Sequence, residues 1–135
     1  MPIVLAREHN GYVFNTMLTS LFDAAPTLAA KEIASVPDID RSWMGVTWMP
    51  SGPFGIMDSI GLKTVHQICT YWAERTKDPR AMANAAFVGE LVRRGHLGIK
   101  SGQGFYTYPV PAFRRPDFLA AAETEGDPTD KGETP

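Results

Sequence analysis

Few side chains in this chain have a type and spacing that could do chemistry. Asn15 lies beside the apolar face of a helical pattern that begins near Tyr12. Asparagine is a mediocre helix former because its amide competes for backbone hydrogen bonds. Two roles fit it: a helix-edge amide bonded to a neighbouring carbonyl, or a donor aimed at a substrate oxygen. Residue type alone favours the first. His9, His66 and His96 are the only imidazoles, and none has a carboxylate or cysteine at metal-ligand spacing. No metal site is expected, and none of the three stands out as a base. Cys69, the single cysteine, sits in an apolar helical pattern and reads as a buried structural thiol rather than a nucleophile. Gly98-Ile99-Lys100-Ser101-Gly102-Gln103-Gly104 is glycine-rich like a phosphate-binding loop, yet it matches neither nucleotide-binding glycine pattern. A tight turn needing positive φ is the stronger reading, with Lys100 left as an isolated charge able to meet a phosphate.

The elements that must position these residues are helical. Phe14, Leu18, Leu21, Ala25 and Leu28 follow the alternating four-and-three spacing of one buried helix face. Pro26 falls inside that pattern and removes the hydrogen bond to the Phe22 carbonyl, which predicts a kink near Phe22 to Pro26 or two helices in place of one. Ser35-Val36-Pro37-Asp38 opens a second helix through Ile39 and Trp43, with Ser35 as the cap, Pro37 in the first turn and Asp38 at the positive end. After the turn at Met49–Pro53, Pro53 starts a short helix carrying Phe54, Ile56, Met57 and Ile60. Gly61 separates it from an amphipathic helix with Val65, Ile68, Cys69 and Trp72 on one face. Asp78-Pro79 ends that run. A fifth helix spans Met82 to Arg94, with Phe87 and Leu91 inward and Gly95 as its stop. Phe105–Tyr108 is strand-like in composition. Ile3-Val4-Leu5-Ala6 reads as one short apolar strand, an orphan because no downstream segment supplies the sheet it needs. The fold class expected is therefore all-α with an orphan N-terminal strand.

With 135 residues, the chain fits one domain, and a hydrophobic fraction of 44 % is enough for a real core. A formal charge of -2 with scattered basic residues gives no nucleic-acid footprint and no polybasic membrane patch. No stretch approaches the roughly 18 apolar residues of a membrane helix, and the apolar start is too short for a signal peptide, so a soluble, cytoplasmic protein is expected. Residues 1–118 form the domain in this reading, and 119–135 an acidic, flexible tail. Trp43, Trp48, Trp72, Phe54, Met44, Met49 and Met57 serve either as core or as an interface patch, since so few helices cannot cover all their apolar faces.

Several segments together resemble the C-terminal helical domain of the 3-hydroxyacyl-CoA and 3-hydroxybutyryl-CoA dehydrogenases, of the type shared with 6-phosphogluconate dehydrogenase. They are Asn10–Asn15, Asp38–Asp40, Gly52-Pro53-Phe54-Gly55-Ile56-Met57-Asp58 with Gly61-Leu62, and Lys100-Ser101-Gly102-Gln103-Gly104-Phe105-Tyr106. They stand in family order over Pro2 to Tyr108. The resemblance implies a two-domain enzyme of fatty-acid metabolism. Its Rossmann domain holds NAD and supplies a histidine base with its orienting glutamate. Its helical domain closes over the acyl-CoA and makes most of the homodimer contact, around Phe54, Met57, Trp43 and Trp72. Asn15 matches the family asparagine that polarises the 3-keto oxygen during hydride transfer, which raises its functional role above the helix-edge one. Thr16 replaces the usual arginine, Glu32 stands at a position that usually holds a helix-ending glycine, and Pro26 is atypical.

The base, its orienter and the NAD glycine fingerprint have no counterpart in the chain. The resemblance thus implies an oxidoreductase part that needs a Rossmann domain in cis or in trans, inactive alone, with no cofactor-binding residues of its own. The alternative of another class is a non-catalytic dimerisation or acyl-CoA-binding module, which would dispense with Asn15.

Overall fold

The computed structural model describes residues 2–120. Five α-helices follow one another: α1 (Tyr12–Ala30), α2 (Val36–Thr47), α3 (Pro53–Ile60), α4 (Leu62–Thr76) and α5 (Pro79–Arg93). Among the described residues there is no strand, only two isolated bridges that close the loop Gly98–Thr107. Beyond residue 120, the acidic tail expected from the sequence lies outside the described residues. None of the described helices is long and apolar enough to cross a membrane.

The helix boundaries follow from local chemistry. Ser35 caps α2, its hydroxyl accepting from the Asp38 amide at 3.2 Å, with a proline in the first turn. Pro53 opens α3 behind an extended Gly52. Gly61, at φ 104°, ends α3 and starts α4 in a single residue. Helix α5 begins three residues earlier than the sequence predicts. Asp78 caps it, accepting from the Arg80 amide at 2.9 Å, and Pro79 takes the first position, where its missing N–H costs nothing. The pair read as the end of one helix is the start of the next. Gly95, at φ 78°, stops α5 as expected.

Helix α1 runs unbroken through Pro26, so the two-helix alternative does not occur. Phe22, Ala25 and Pro26 are all buried, and that burial offsets the hydrogen bond lost at the ring. The helix ends in a Schellman motif: the Ile33 amide donates to the Leu28 carbonyl and the Glu32 amide to that of Ala29, both at 3.0 Å. Glu32 takes φ 55° there. The residue standing where glycine is usual adopts the left-handed conformation that favours glycine.

Two expectations need correction. Residues 3–6 form no strand, and Ile3 and Val4 are exposed; a strand needs a second one to satisfy its amides, and the described chain provides none. The buried face expected for α1 is only half real. Phe14 is 67 % exposed and Leu28 also lies at the surface, while Ala25 is buried. Helix α1 packs on α5, α3 and α2, and its first two turns, Tyr12 to Met17, carry no buried residue.

The core sits where α3 threads between its neighbours. Phe54, Met57, Leu62, Val65 and Val88 are completely buried. Phe54 meets Phe105 edge-on at 4.7 Å, and Phe87 stacks on Phe105 at 5.9 Å. Phe54 and Met57 thus belong to the interior, which removes them from the homodimer surface expected around them. Helices α4 and α5 form the most extensive helix pair.

Candidate functional site

Among the described residues, two groups of polar side chains bear on function, one inside and one at the surface. Inside, Asp40 and Asp58 are fully buried carboxylates. Asp40 lies on α2 and caps α3: its Oδ1 accepts from the Phe54 amide at 2.9 Å, and its Oδ2 from the Gly55 amide at 3.0 Å and the Tyr106 hydroxyl at 2.9 Å. Asp58, at the other end of α3, takes the glycine loop. It accepts from the amides of Phe105 and Tyr106 at 2.9 and 3.0 Å and from the Tyr108 hydroxyl at 2.8 Å. Burial pushes the Asp40 carboxyl up to about 6, against the pull of its three donors. Asp58 shifts the same way for the same reason. Both tyrosine hydroxyls are held well above their usual range, mainly by burial and then by the carboxylates they bond.

This clamp accounts for the glycines. A Cβ on Gly52 would lie 2.4 Å from Asp40 Cγ, one on Gly98 2.3 Å from the Asp58 carbonyl oxygen, and one on Gly104 2.1 Å from Asp58 Oδ1. The space a phosphate-binding loop would leave for its ligand is filled by Asp58. The loop is the tight turn the sequence suggests, with Gly98 and Gly102 at positive φ. The sequence reading missed the clamp. Its signal was present as two acidic residues inside apolar segments, but periodicity cannot say which amides will surround them.

At the surface, α1, α4, α5 and the residues just before α1 line a groove of about 480 Å³, with Asn10 and Asn15 among its lining residues and Arg80 on α5. Phe22, Ile68, Cys69 and Trp72 line its apolar side. Asn15 is exposed, and among the described residues its amide forms no hydrogen bond. The helix-edge role, an amide tied to a nearby carbonyl, is therefore not what the structure builds. Thr16, at the position of the usual arginine, donates to the Tyr12 carbonyl. Where α5 meets α1, Arg80 Nη2 pairs with Asp23 Oδ2 at 2.8 Å, and the buried Asn84 donates to the Asp23 carbonyl at 2.9 Å and to Thr27 Oγ1 at 2.8 Å. Sequence reading singled out none of these four residues. They lie 57 and 61 positions apart across α1 and α5, so no local pattern links them.

Cys69 is half-buried in the groove wall, and burial, helped by Asp23, pushes its thiol up to about 11. It stays protonated near neutrality, consistent with a structural thiol. His9 lines the groove near Asn15. His66 lies within 3.4 Å of Thr70 Oγ1 and fills the space beside Gly89. Among the described residues no three metal-ligating side chains converge.

The described residues thus form a helical domain without a strand, with a surface groove on which two exposed amides, Asn10 and Asn15, lie. Comparison with known proteins makes this specific. Residues 11–108 match the family model of the 3-hydroxyacyl-CoA dehydrogenase, C-terminal domain, and the chain belongs to that family. It is 33 % identical over 105 residues to a probable 3-hydroxyacyl-CoA dehydrogenase of Caenorhabditis elegans, covering 78 % of this chain and 35 % of that protein. It is 31 % identical over 106 residues to a 3-hydroxybutyryl-CoA dehydrogenase of Mycobacterium tuberculosis, covering 78 % and 37 %. Among solved structures it resembles a diketoreductase acting on dicarbonyl compounds, with TM-score 0.69 and 38 % identity over 77 % of this chain and 35 % of that one. A second is the (S)-3-hydroxybutyryl-CoA dehydrogenase of Ralstonia eutropha, with TM-score 0.60 and 29 % identity over 71 % and 34 %. The chain thus spans about a third of the length of these relatives.

Proposed function

We propose that this chain is the substrate-closing and dimerising part of an NAD-dependent 3-hydroxyacyl-CoA or 3-hydroxybutyryl-CoA dehydrogenase. NAD, the histidine base and its glutamate come from a Rossmann domain joined in cis or in trans. The observation that carries the reading is the Asn15 amide, exposed on the groove and without a hydrogen-bond partner among the described residues. An N–H held there donates to the oxygen on C3 of the bound acyl-CoA. As the carbonyl is reduced, negative charge grows on that oxygen, and the hydrogen bond strengthens with it. Removing one such donor typically costs about 100- to 1,000-fold in kcat.

The chain alone is expected to show no NADH-dependent reduction of acetoacetyl-CoA. Reconstituted with a family Rossmann domain, it turns over, and Asn15→Ala lowers kcat by about 100-fold or more with KM little changed. Turnover by the isolated chain would overturn its incompleteness. A variant as active as the wild type would make the chain a non-catalytic module instead.

The homodimer belongs to the same proposal, now without Phe54 and Met57. Its apolar contact falls on surface residues such as Trp72 on α4 and Val46 and Trp48 at the end of α2, all exposed. Sedimentation at micromolar concentration is expected to give twice the chain mass. A monomer there would refute this part.

A further inference from the structure

Asn15 stands on the part of α1 that the bundle holds least. From Tyr12 to Leu21 no side chain of the helix is buried, and burial starts at Phe22, Ala25 and Pro26. Pro26 has no N–H for the Phe22 carbonyl, and a helix bends most readily at such a position. Asp23 lies in that turn. At 1.5 Å per residue it is about 12 Å from Asn15 along the axis, so a tilt of about 5° there moves Asn15 by about 1 Å.

One side chain outside α1 is placed to fix this turn. Asn84, on α5, is 2 % exposed. Its Nδ2 donates to the Asp23 carbonyl at 2.9 Å and to Thr27 Oγ1 at 2.8 Å. Thr27 Oγ1 in turn donates to the same carbonyl at 2.7 Å. Two donors thus converge on one backbone oxygen in the turn that Pro26 weakens. One of them comes from α5, the helix on which α1 packs most extensively. In a buried site such bonds fix direction and register, because a shift leaves a desolvated amide without its partner. The Arg80–Asp23 ion pair is a poor substitute, since both side chains are largely open to water and such pairs contribute little.

Resting on the reading that Asn15 donates to the oxygen on C3, we propose that Asn84 is a positioning residue of the reaction, holding the Asp23 turn of α1 and so aiming the Asn15 amide. With both amide hydrogens engaged on α1, Asn84 acts through the helix rather than on a ligand. A misplacement of about 1 Å caused far from the chemistry can cost about 100-fold in rate.

Asn84→Leu keeps the volume and removes the hydrogen bonds. In the chain reconstituted with a family Rossmann domain, it is expected to lower kcat by about tenfold to a hundredfold with KM little changed. When Asn15 is already alanine, the same substitution is expected to cost less than about twofold, because the two residues act as one unit. Thr27→Val, which removes one of the two acceptors, gives a smaller loss of the same pattern and carries the test if Asn84→Leu does not fold. Phe118→Ala, which deletes a buried ring packed on Arg41 of α2, is the stability control and lowers Tm without lowering kcat. In the chain by itself, Asn84→Leu is expected to speed amide exchange from Leu18 to Phe22 by at least about tenfold relative to α3. A kcat loss of equal size with and without the Asn15 amide, or an equal loss in Phe118→Ala, makes Asn84 merely structural and overturns the proposal. Unchanged exchange in α1 overturns it as well. Asn15→Ala as active as the wild type removes the reading of Asn15 and this one with it. A slow Asn15→Ala beside a fully active Asn84→Leu leaves that reading standing and removes this one alone.

Discussion

At the scale of single residues, the molecule separates those that act outward from those that hold it together. Asn15 has a free amide because its helix carries it beyond the packed part of the bundle. Cys69 is the opposite case. It lines the same groove, yet burial and the nearby Asp23 push its thiol up to about 11, so the thiolate that would react is scarce near neutrality. Iodoacetamide is therefore expected to label Cys69 in the native protein at pH 8 at least about tenfold more slowly than in urea-unfolded chain. The native rate should still be climbing at pH 10. A native rate equal to the unfolded one would mean that the thiol is neither buried nor shifted.

At the scale of elements, the end of α1 shows a local conflict that the fold tolerates. The Schellman turn needs a left-handed residue, and Glu32 supplies it at φ 55°. A residue with a Cβ pays about 1 kcal/mol for that conformation. Glu32 is exposed, so no packing is lost when its side chain is removed. Glu32→Gly is expected to raise stability by about 0.5–1 kcal/mol in urea unfolding with an unchanged m-value; a loss of that size would place the strain elsewhere. Pro26 is instructive for the opposite reason. The sequence predicts a kink or two helices, yet one helix runs through the proline, whose ring is buried beside Phe22 and Ala25.

At the scale of the whole molecule, the clamp ties three parts of the chain together. Asp40 joins α2 to α3, and Asp58 joins α3 to the loop after α5. Tyr106 bonds to both through its hydroxyl and its amide. The Asp40 carboxyl, pushed up to about 6 from 3.8, binds its proton more tightly in the folded than in the unfolded chain. Its contribution is complete below the unfolded value and is lost as pH rises through the folded one. For Asp40 the loss is roughly 2–3 kcal/mol, and Asp58 acts in the same direction. Between pH 4 and 7 the Tm of the wild type is expected to fall relative to that of Asp40→Asn, which lacks the titrating group. Parallel pH profiles for the two proteins would remove Asp40 as the cause.

Helix number, order and most caps were legible in the sequence, because they depend on neighbours three or four residues apart: Ser35 with Asp38, Pro53 after Gly52, Gly95 after α5. The ordered motifs identified the family, since they record glycines and acids that only this packing requires. What those residues do was decided by tertiary structure. Asp58 meets Phe105 and Tyr108 across 47 and 50 positions, and periodicity is blind to such contacts. The same holds for the fate of apolar residues. Phe54, Met57 and Phe14 are alike in composition, and only the arrangement of five helices buried the first two and left the third exposed. For Asn15 the residue type was known from the start; that its amide faces a groove and has no partner among the described residues came from the way α4 and α5 stand beside α1.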